Sequence, residues 1–300
     1  MSIVQLCGTD FPNTGNAGCV DKSERGVERT IFLTTKSFQW DTLADFADLS
    51  VLEAAIKAKE VFPIQEVDSF EIQDEDAELH QSDLGAEALI RHGNYRRKFF
   101  FNKNTCSMKA LQDFTQKSMR VVYADINGNI RGYSPDGTVV KGFDIDLLFV
   151  GKQTTPETGG VSLIPIYIGE KNSRQWNTQG VLLNPTWEPS DLAGLTDVSV
   201  EVVGTPTATE LIVKVYSACG YTSAGAVNEI AIKGIDPTDI VVTKTADSST
   251  QTVAFTDNTD GTYTGVGTAI VAGEVNLKTP PNQSSTGLLI ESLGAATFAI

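Results

Sequence analysis

The chain has 300 residues, of which 41% are hydrophobic and 20% are charged, and these are the proportions of a folded globular protein rather than a disordered one. This length exceeds the roughly 100 to 200 residues of a typical domain, so two domains are expected. The formal net charge of −15 argues against tight binding to DNA or RNA, because such binding depends on cationic side chains that release counterions from the phosphates.

Membrane and redox features of the sequence favour synthesis in a cytoplasm. No run of about 18 apolar residues is available to span a bilayer, and the first residues lack the basic start and apolar region of a signal peptide. The cysteines do not have the CxxC spacing of a zinc site; they are Cys7, Cys19, Cys106 and Cys219. A disulfide between Cys7 and Cys19 would close a short loop, but a reducing compartment favours free thiols.

The first part of the chain predicts strands with a helix between them. Residues Arg29 to Trp40 alternate apolar and polar side chains, which is typical of a strand. Residues Val51 to Glu60 have helical spacing, and Ser50 with Glu53 forms a capping box at the start of this helix. The stretch from Ile64 to Ile72 predicts a further strand.

The next part predicts a projecting loop, a hairpin and a second helix. Residues Gln73 to Asp83 are too acidic and too poor in apolar residues to enter a core, so they are predicted to form a loop. The stretch EALIRHGNYRRKFFFN predicts a hairpin that turns at His92 to Asn94, because these residues tolerate a positive φ. The following stretch, TCSMKALQDFTQKSM, has apolar residues near a helical period.

The stretch YADINGNIRGYSPDG contains half of a calcium-binding pattern. Asp125, Asn127 and Asn129 fall at alternate positions, as oxygen ligands do in the first half of an EF-hand loop. The pattern then fails, because its sixth and twelfth positions lack the required Gly and bidentate Glu. Asn127 and Gly128 are also the dipeptide most typical of a two-residue type I′ turn. We therefore predict a tight hairpin without calcium.

The composition changes near Leu195. No Arg or Trp follows that residue, and short alternating runs rich in Thr, Val, Ala, Ser and Gly are separated by turn residues. Such runs are typical of an immunoglobulin-like sandwich. The sequence thus predicts a mainly β protein with two domains: residues 1–194, which include two short helices, and residues 195–300, which form an Ig-like β-sandwich.

Catalytic patterns are missing from the sequence. The two histidines, His80 and His92, fall in the predicted loop and turn, and no GxSxG, HExxH or Walker motif is present. The paired carboxylates of the acidic loop would need burial to act as a general acid and base, and a solvated loop or the rim of an assembly interface is the simpler interpretation. We therefore predict no enzyme activity, no catalytic residue, no cofactor and no metal ion.

Several of these features together resemble the major tail proteins of tailed bacteriophages, the tail tube family. They are the β-rich first segment, the capped helix Val51 to Glu60, the acidic loop Gln73 to Asp83, the hairpins at Gly93 and Asn127, and the Ig-like module. The stretches FPNTGN, which covers Phe11 to Asn16, and GYSPDGTVVKGF also resemble virion proteins of that class.

The resemblance implies a tail-tube-like β-sandwich or barrel domain followed by the Ig-like domain. It further implies a homo-oligomer in the form of hexameric rings, whose inner strands close a shared β-barrel. These rings stack on one another and contact other tail proteins. Genome DNA would pass through the lumen without tight binding, and an acidic lumen fits this role. Such a protein is assembled in the host cytoplasm into the virion tail and has no membrane partner.

The acidic loop is the expected contact between subunits, because carboxylates that cannot enter a core become ordered against cations of a neighbour. The expected contact residues are Asp74, Glu75, Asp76 and Glu78 on one side and Arg96, Arg97 and Lys98 on the other. The alternative function is a virion decoration or adhesin protein whose Ig-like domain binds glycans. Its candidate stacking residues are Tyr216, Tyr221 and Tyr263.

Overall fold

The computed structural model describes residues 2–6, 26–81, 87–103, 105–156, 160–192, 194–221, 227–278 and 289–300. Strands hold 47% of the chain and helices 13%, so the predicted mainly β class is confirmed. The chain divides into two compact units, Met1–Leu192 and Ala193–Ile300. Cys7, Cys19, the motif Phe11 to Asn16 and the Asp83 end of the predicted loop lie outside the described residues.

The first unit contains strands β1 to β12 and helices α1 to α4. In chain order the strands are β1 Ser2–Leu6, β2 Glu28–Thr35, β3 Val61–Ile64, β4 Val67–Ile72, β5 Glu78–Gln81, β6 Glu87–Arg91, β7 Arg96–Phe101, β8 Met119–Asp125, β9 Ile130–Tyr133, β10 Phe143–Val150, β11 Ile164–Glu170 and β12 Gly180–Asn184. The helices are α1 Leu43–Phe46, α2 Leu49–Lys57, α3 Thr105–Gln112 and α4 Ser173–Thr178, and a 3-10 turn follows at Pro189–Asp191. None of the helices in the described ranges is long and apolar enough to cross a membrane.

One large antiparallel sheet organises the first unit. Within the described residues its order is β1-β12-β9-β8-β10-β11-β7-β4, with β2 beside β8 and β3 beside β2. The inward side chains of the sheet meet in one core, whose aromatic members include Phe99, Phe101, Tyr123, Phe143 and Trp176. As far as the chain is described, β1, β3 and β4 each pair on one side only, so the sheet has open edges.

Helix α2 is the first predicted helix, but it starts earlier and has another cap. Its N-cap is Asp48, whose carboxylate accepts a 2.8 Å hydrogen bond from the backbone N–H of Ser50. The predicted capping box of Ser50 and Glu53 is therefore wrong, because the charged side chain of Asp48 already binds this end of the helix. Helix α3 is the second predicted helix. The sequence does not predict α1 and α4, since helices of four and six residues are too short to show a hydrophobic period.

The predicted hairpin at His92 to Asn94 is wrong. Strands β6 and β7 both exist, but β6 pairs with β5, whereas β7 lies between β4 and β11. Burial explains the difference, because Phe99 and Phe101 on β7 are fully buried in the core of the sheet. Glycine is required at position 93 by a close backbone contact and not by the expected positive φ. A Cβ at this position would lie 1.7 Å from the carbonyl oxygen of Glu75.

The turn after β8 is a tight hairpin, though not of the predicted type. The N–H of Gly128 donates to the carbonyl of Asp125 at 3.1 Å, and the N–H of Asp125 donates to the carbonyl of Asn129 at 2.9 Å. Gly128 has a φ of 77°, whereas Asn127 does not have the positive φ that a type I′ turn requires. These bonds define a three-residue loop in which Gly128 forms the bulge.

The second unit is a two-sheet sandwich. Its strands are β13 Thr196–Val203, β14 Glu210–Tyr221, β15 Val227–Ala231, β16 Ile240–Lys244, β17 Thr250–Gln251, β18 Ala254–Asp257, β19 Thr262–Val266, β20 Gly273–Leu277, β21 Ile290–Ser292 and β22 Ala296–Phe298. In the described residues one sheet has the order β18-β19-β14-β13-β21, with β15 beside β14, and the other has the order β17-β16-β20-β22. Residues of both sheets share one core, which includes Val213, Val242, Tyr263 and Val275.

Candidate inter-subunit surface

Strands β5 and β6 form a two-stranded ribbon that is separate from the large sheet. Leu79 faces Leu89 across the ribbon, and these side chains are 54% and 48% exposed. Ile90 on β6 and Ile72 at the end of β4 are 58% and 66% exposed. The predicted loop Gln73 to Asp83 is therefore wrong for Glu78 to Gln81, which form strand β5, whereas residues 73–77 are not in a strand. Isolated two-stranded ribbons are marginally stable in water, so a ribbon with exposed apolar side chains is a candidate contact surface.

Three of the four acidic residues from Asp74 to Glu78, which we name the acidic segment, bind groups of the same chain. The carboxylate of Asp74 accepts a 2.8 Å hydrogen bond from the backbone N–H of Arg96, and Oε1 of Glu75 lies 2.8 Å from Nε of Arg96. Oε2 of Glu78 lies 2.7 Å from Nε of Arg91. The contacts of Asp74 and Glu75 with Arg96 hold the acidic segment against the start of β7, whereas the pair of Glu78 and Arg91 joins β5 to β6. The expected pairing of Arg96 with a neighbouring subunit is thus already made within one chain.

Lys98 lies on the outer face of β7. Its Nζ is 3.2 Å from Oε2 of Glu71 on β4 and 4.5 Å from the ring centre of Phe100. On the same face, the rings of Phe149 and Tyr167 are 5.6 Å apart, and Phe149 is 45% exposed. Lys98 therefore belongs to a mixed apolar and charged outer surface of the sheet, where contact with a neighbour remains a prediction.

Arg97 does not belong to this surface, and its predicted contact with a neighbouring subunit is wrong. Its side chain is 5% exposed and points into the core, because alternate residues of a strand face opposite sides of the sheet. The guanidinium donates a 3.0 Å hydrogen bond to Glu28, which is 4% exposed. Its carbon Cζ lies 4.3 Å from the ring centre of Trp176 and 4.9 Å from that of Tyr123.

A second carboxylate, that of Glu170 on β11, completes this buried polar cluster. The hydroxyl of Tyr123 donates to Oε1 of Glu170 at 3.0 Å. Burial raises the pKa of Tyr123 well above its usual value, and the charge of Glu170 raises it further. Burial alone would lower the pKa of Arg97, but Tyr123, Glu28 and Glu170 outweigh it and the pKa is raised. At neutral pH the raised pKa values keep Arg97 charged and Tyr123 neutral.

The cavity beside this cluster is too small for a substrate. Its lining includes Glu28, Asp125, Asn129 and Arg131, and its volume of about 10 Å³ has room for one water molecule. Ligand pockets usually have volumes of about 300 to 1,000 Å³. This arrangement stabilises the fold and does not form a substrate site.

One feature of the sequence indicates this cluster, although the sequence analysis placed Arg97 at a subunit contact. Arg97 has the same strand parity as Phe99 and Phe101, so an inward cation was predictable once those aromatic residues were assigned to the core. An inward cation requires buried carboxylates. Glu28 and Glu170 are distant in the sequence, and only the sheet topology brings them to Arg97.

No protein-family model matches this sequence, and no curated protein is significantly similar to it.

The possible calcium ligands are engaged in the turn. The carboxylate of Asp125 accepts hydrogen bonds of 2.7 to 3.0 Å from the backbone N–H groups of Gly26, Asn127 and Asn129 and from the side-chain amide of Asn129. In the part of the chain that the structure describes, no group of three His, Cys, Asp or Glu residues is placed to hold a metal ion. The carboxylate stabilises the turn through N–H donors, which a cation would have to displace.

We expect that calcium at micromolar concentrations does not bind at Asp125. Titration calorimetry of the purified chain should give no binding heat, because the loop lacks the Gly and the bidentate Glu that complete a calcium site. Asp125→Ala is the matched variant, and it is expected to lower thermal stability without altering any response to calcium. Binding heat in the native chain that disappears in Asp125→Ala would contradict this prediction.

The glycan-binding alternative loses one of its three tyrosines. Tyr263 is fully buried, and its hydroxyl donates to the carbonyl of Ile232 and accepts from the N–H of Ile235, both at 3.1 Å. Its expected role as a stacking surface is therefore wrong, because the ring belongs to the core of the sandwich. Tyr216 is half-buried beside Lys214, whose Nζ lies 4.9 Å from the ring centre. The side chain of Tyr221 lies outside the described residues.

Proposed function

We propose that the chain is a structural subunit of a tailed-bacteriophage tail tube. In this proposal copies associate through the first unit into rings, with six copies each as in the family that the sequence resembles. The rings stack around a lumen through which genome DNA passes, and they meet other tail proteins. The protein acts in the virion tail after assembly in the host cytoplasm, and it has no enzyme activity.

The observation that carries this proposal is the large sheet with open edges. As far as the chain is described, β1, β3 and β4 each have one partner, and β1 and β4 lie at the two ends of the strand order. Backbone groups at an open edge favour pairing with another chain. When the two edges differ, each copy joins the next head to tail, and the assembly closes into a ring if the rotation allows it.

Charge provides further support. A protein with a net charge of −15 repels the phosphates of DNA, so a tube of such subunits would conduct DNA without retaining it. The acidic residues next to the ribbon would lower the affinity for nucleic acid wherever they line a passage.

Electron microscopy and analytical ultracentrifugation of the purified chain test the proposal. We expect rings or tubes, and we expect high salt to reduce their amount, because charges at the exposed acidic segment are screened. A chain that stays monomeric at all protein and salt concentrations would refute the tail tube function.

Truncation separates this function from the glycan-binding alternative. A chain that ends at Leu192 keeps the whole first unit and is expected to form the same oligomer as the full chain. If the alternative is correct, the isolated second unit, Ala193–Ile300, should instead bind glycans on an array, and the full chain should form no ring. An oligomer that forms only when the second unit is present would contradict the prediction that the first unit alone makes the contacts between copies.

A further inference from the structure

The ribbon β5–β6 has apolar side chains on both of its faces. Leu79 and Leu89 are cross-strand partners and share one face, whereas Ile90, next to Leu89 on β6, points to the other face. All three are about half exposed. Covering such side chains removes apolar surface from water, so a partner that covers the ribbon is stabilised there.

The same part of the chain carries negative charge. Asp74, Glu75, Asp76 and Glu78 lie within five residues, and Asp76 and Glu78 are exposed. A partner for the ribbon should therefore combine apolar surface with cations. Most of the surface of this chain does not meet this requirement, because the chain has 38 Asp and Glu residues and only 23 Lys and Arg residues.

A surface with this chemistry lies at the other end of β7. Helix α3 follows β7 directly, and its Met108 is only partly buried against the core, as are Phe114 after the helix and Phe62 on β3. The rings of Phe62 and Phe114 are 4.9 Å apart, and Nζ of Lys117 lies 5.3 Å from the ring centre of Phe114.

The cations of this second surface are Lys103, Lys109 and Lys117. Lys109 and Lys117 are exposed, and Nζ of Lys103 lies 2.7 Å from Oε2 of Glu66. Residues 103–117 contain three Lys and one acidic residue, Asp113, so this stretch carries more positive than negative charge. We name the region formed by α3, Phe62, Phe114 and Lys117 the α3 surface.

The two surfaces are attached to opposite ends of β7 in one copy. The ribbon joins β7 at Arg96 and α3 follows β7 after Phe101, and six residues of strand span about 17 Å. A surface and its complement at opposite ends of one element form a heterologous contact, which adds copies in one direction.

We propose that the ribbon of one copy docks on the α3 surface of a second copy and so stacks subunits head to tail. The contact buries the ribbon leucines against Met108, Phe62 and Phe114, and it brings the acidic segment near Lys109 and Lys117. This inference rests on the proposed function and adds to it the surfaces that would join successive layers.

Two variants, each lacking one surface, test the contact. Leu79→Asp with Leu89→Asp removes the apolar ribbon surface, and Lys109→Glu with Lys117→Glu reverses the charge of the α3 surface. All four side chains are exposed, so both variants are expected to keep the circular dichroism spectrum and melting temperature of the native chain. Lys171→Glu with Lys233→Glu is the control with the same change of charge at exposed positions elsewhere.

Each surface variant alone is expected to lose all stacked species in sedimentation velocity, whereas the control stacks as the native chain does. An equimolar mixture of the two variants is expected to form particles of twice the mass of either variant's own particle and no larger. The reason is that the leucine variant keeps only its α3 surface and the lysine variant keeps only its ribbon, so a single pair of intact surfaces remains. If either variant stacks like the native chain, or if the mixture does not associate, the docking inference is wrong while rings and tubes of the native chain still support the proposed function. A native chain that never assembles would overturn both.

Discussion

Replacement of Arg97 by alanine is expected to lower the free energy of unfolding of the first unit by about 3 to 5 kcal/mol. The reason is that Glu28, which is 4% exposed and bound to Arg97 at 3.0 Å, would stay in the core without this cation. The variant would also lose the contacts of the guanidinium with Trp176 and Tyr123. Urea denaturation followed by tryptophan fluorescence measures the effect, because all the tryptophans precede residue 193.

The adjacent residue provides the control for this prediction. Lys98→Ala removes a cation from the same strand, but the partner carboxylate of Glu71 has a side chain that is 53% exposed. Exposed ion pairs contribute about 0 to 1 kcal/mol, so this variant should unfold nearly as the native chain does. Equal losses in the two variants would mean that the buried cluster does not stabilise the first unit. Arg97→Ala combined with Glu28→Gln is expected to be less destabilising than the sum of the two single changes.

Replacement of Tyr263 by alanine is expected to destabilise the second unit by about 3 to 5 kcal/mol, as large-to-small changes of buried aromatic residues do. Tyr263→Phe keeps the ring and removes only the hydroxyl. It leaves the carbonyl of Ile232 and the N–H of Ile235 without this bond, at a cost of about 1 to 3 kcal/mol. Thermal unfolding of the isolated unit Ala193–Ile300, followed by circular dichroism, measures both changes.

Tyr216→Phe is the matched control in the second unit, since that side chain is half-buried on the outer face of its sheet. We expect a change in stability within about 0.5 kcal/mol. If Tyr263→Ala left the melting temperature unchanged but removed glycan binding, the assignment of this ring to the core would be wrong and the glycan-binding alternative would regain support.

The sequence predicts individual elements of this fold better than their partners. The alternation of apolar residues in RRKFFF correctly predicts strand β7, because the period of a strand is a local property. Pairing depends on distant residues, and β7 joins β4 and β11 instead of its neighbour β6 because burial of Phe99 and Phe101 in the large sheet outweighs the short connection. The same limit hides the carboxylates around Arg97.

Local geometry is also predicted only in part. Asn127 and Gly128 correctly indicate a tight hairpin, but the side chain of Asp125 binds the backbone of the loop and selects a three-residue turn. At the candidate surface, the sequence predicts that residues Gln73 to Asp83 form a projecting loop, which includes the acidic segment Asp74 to Glu78. It does not predict that Arg96 of the same chain holds this segment, since that contact depends on the close approach of two backbones.

Gly93 has a consequence for how a second copy would meet the ribbon. Because this residue lacks a side chain, the backbone of the acidic segment lies against it, and the N–H of Glu75 donates to the carbonyl of Asn94 at 3.0 Å. A further bond of 2.8 Å, from the N–H of Gln73 to the carbonyl of Arg96, continues the pairing of β4 with β7 towards the ribbon. These two bonds hold residues 73–75 against the start of β7, so the segment that leads into the ribbon is already ordered. Docking would then cost little conformational entropy, and weak individual contacts would suffice to order many copies along one axis.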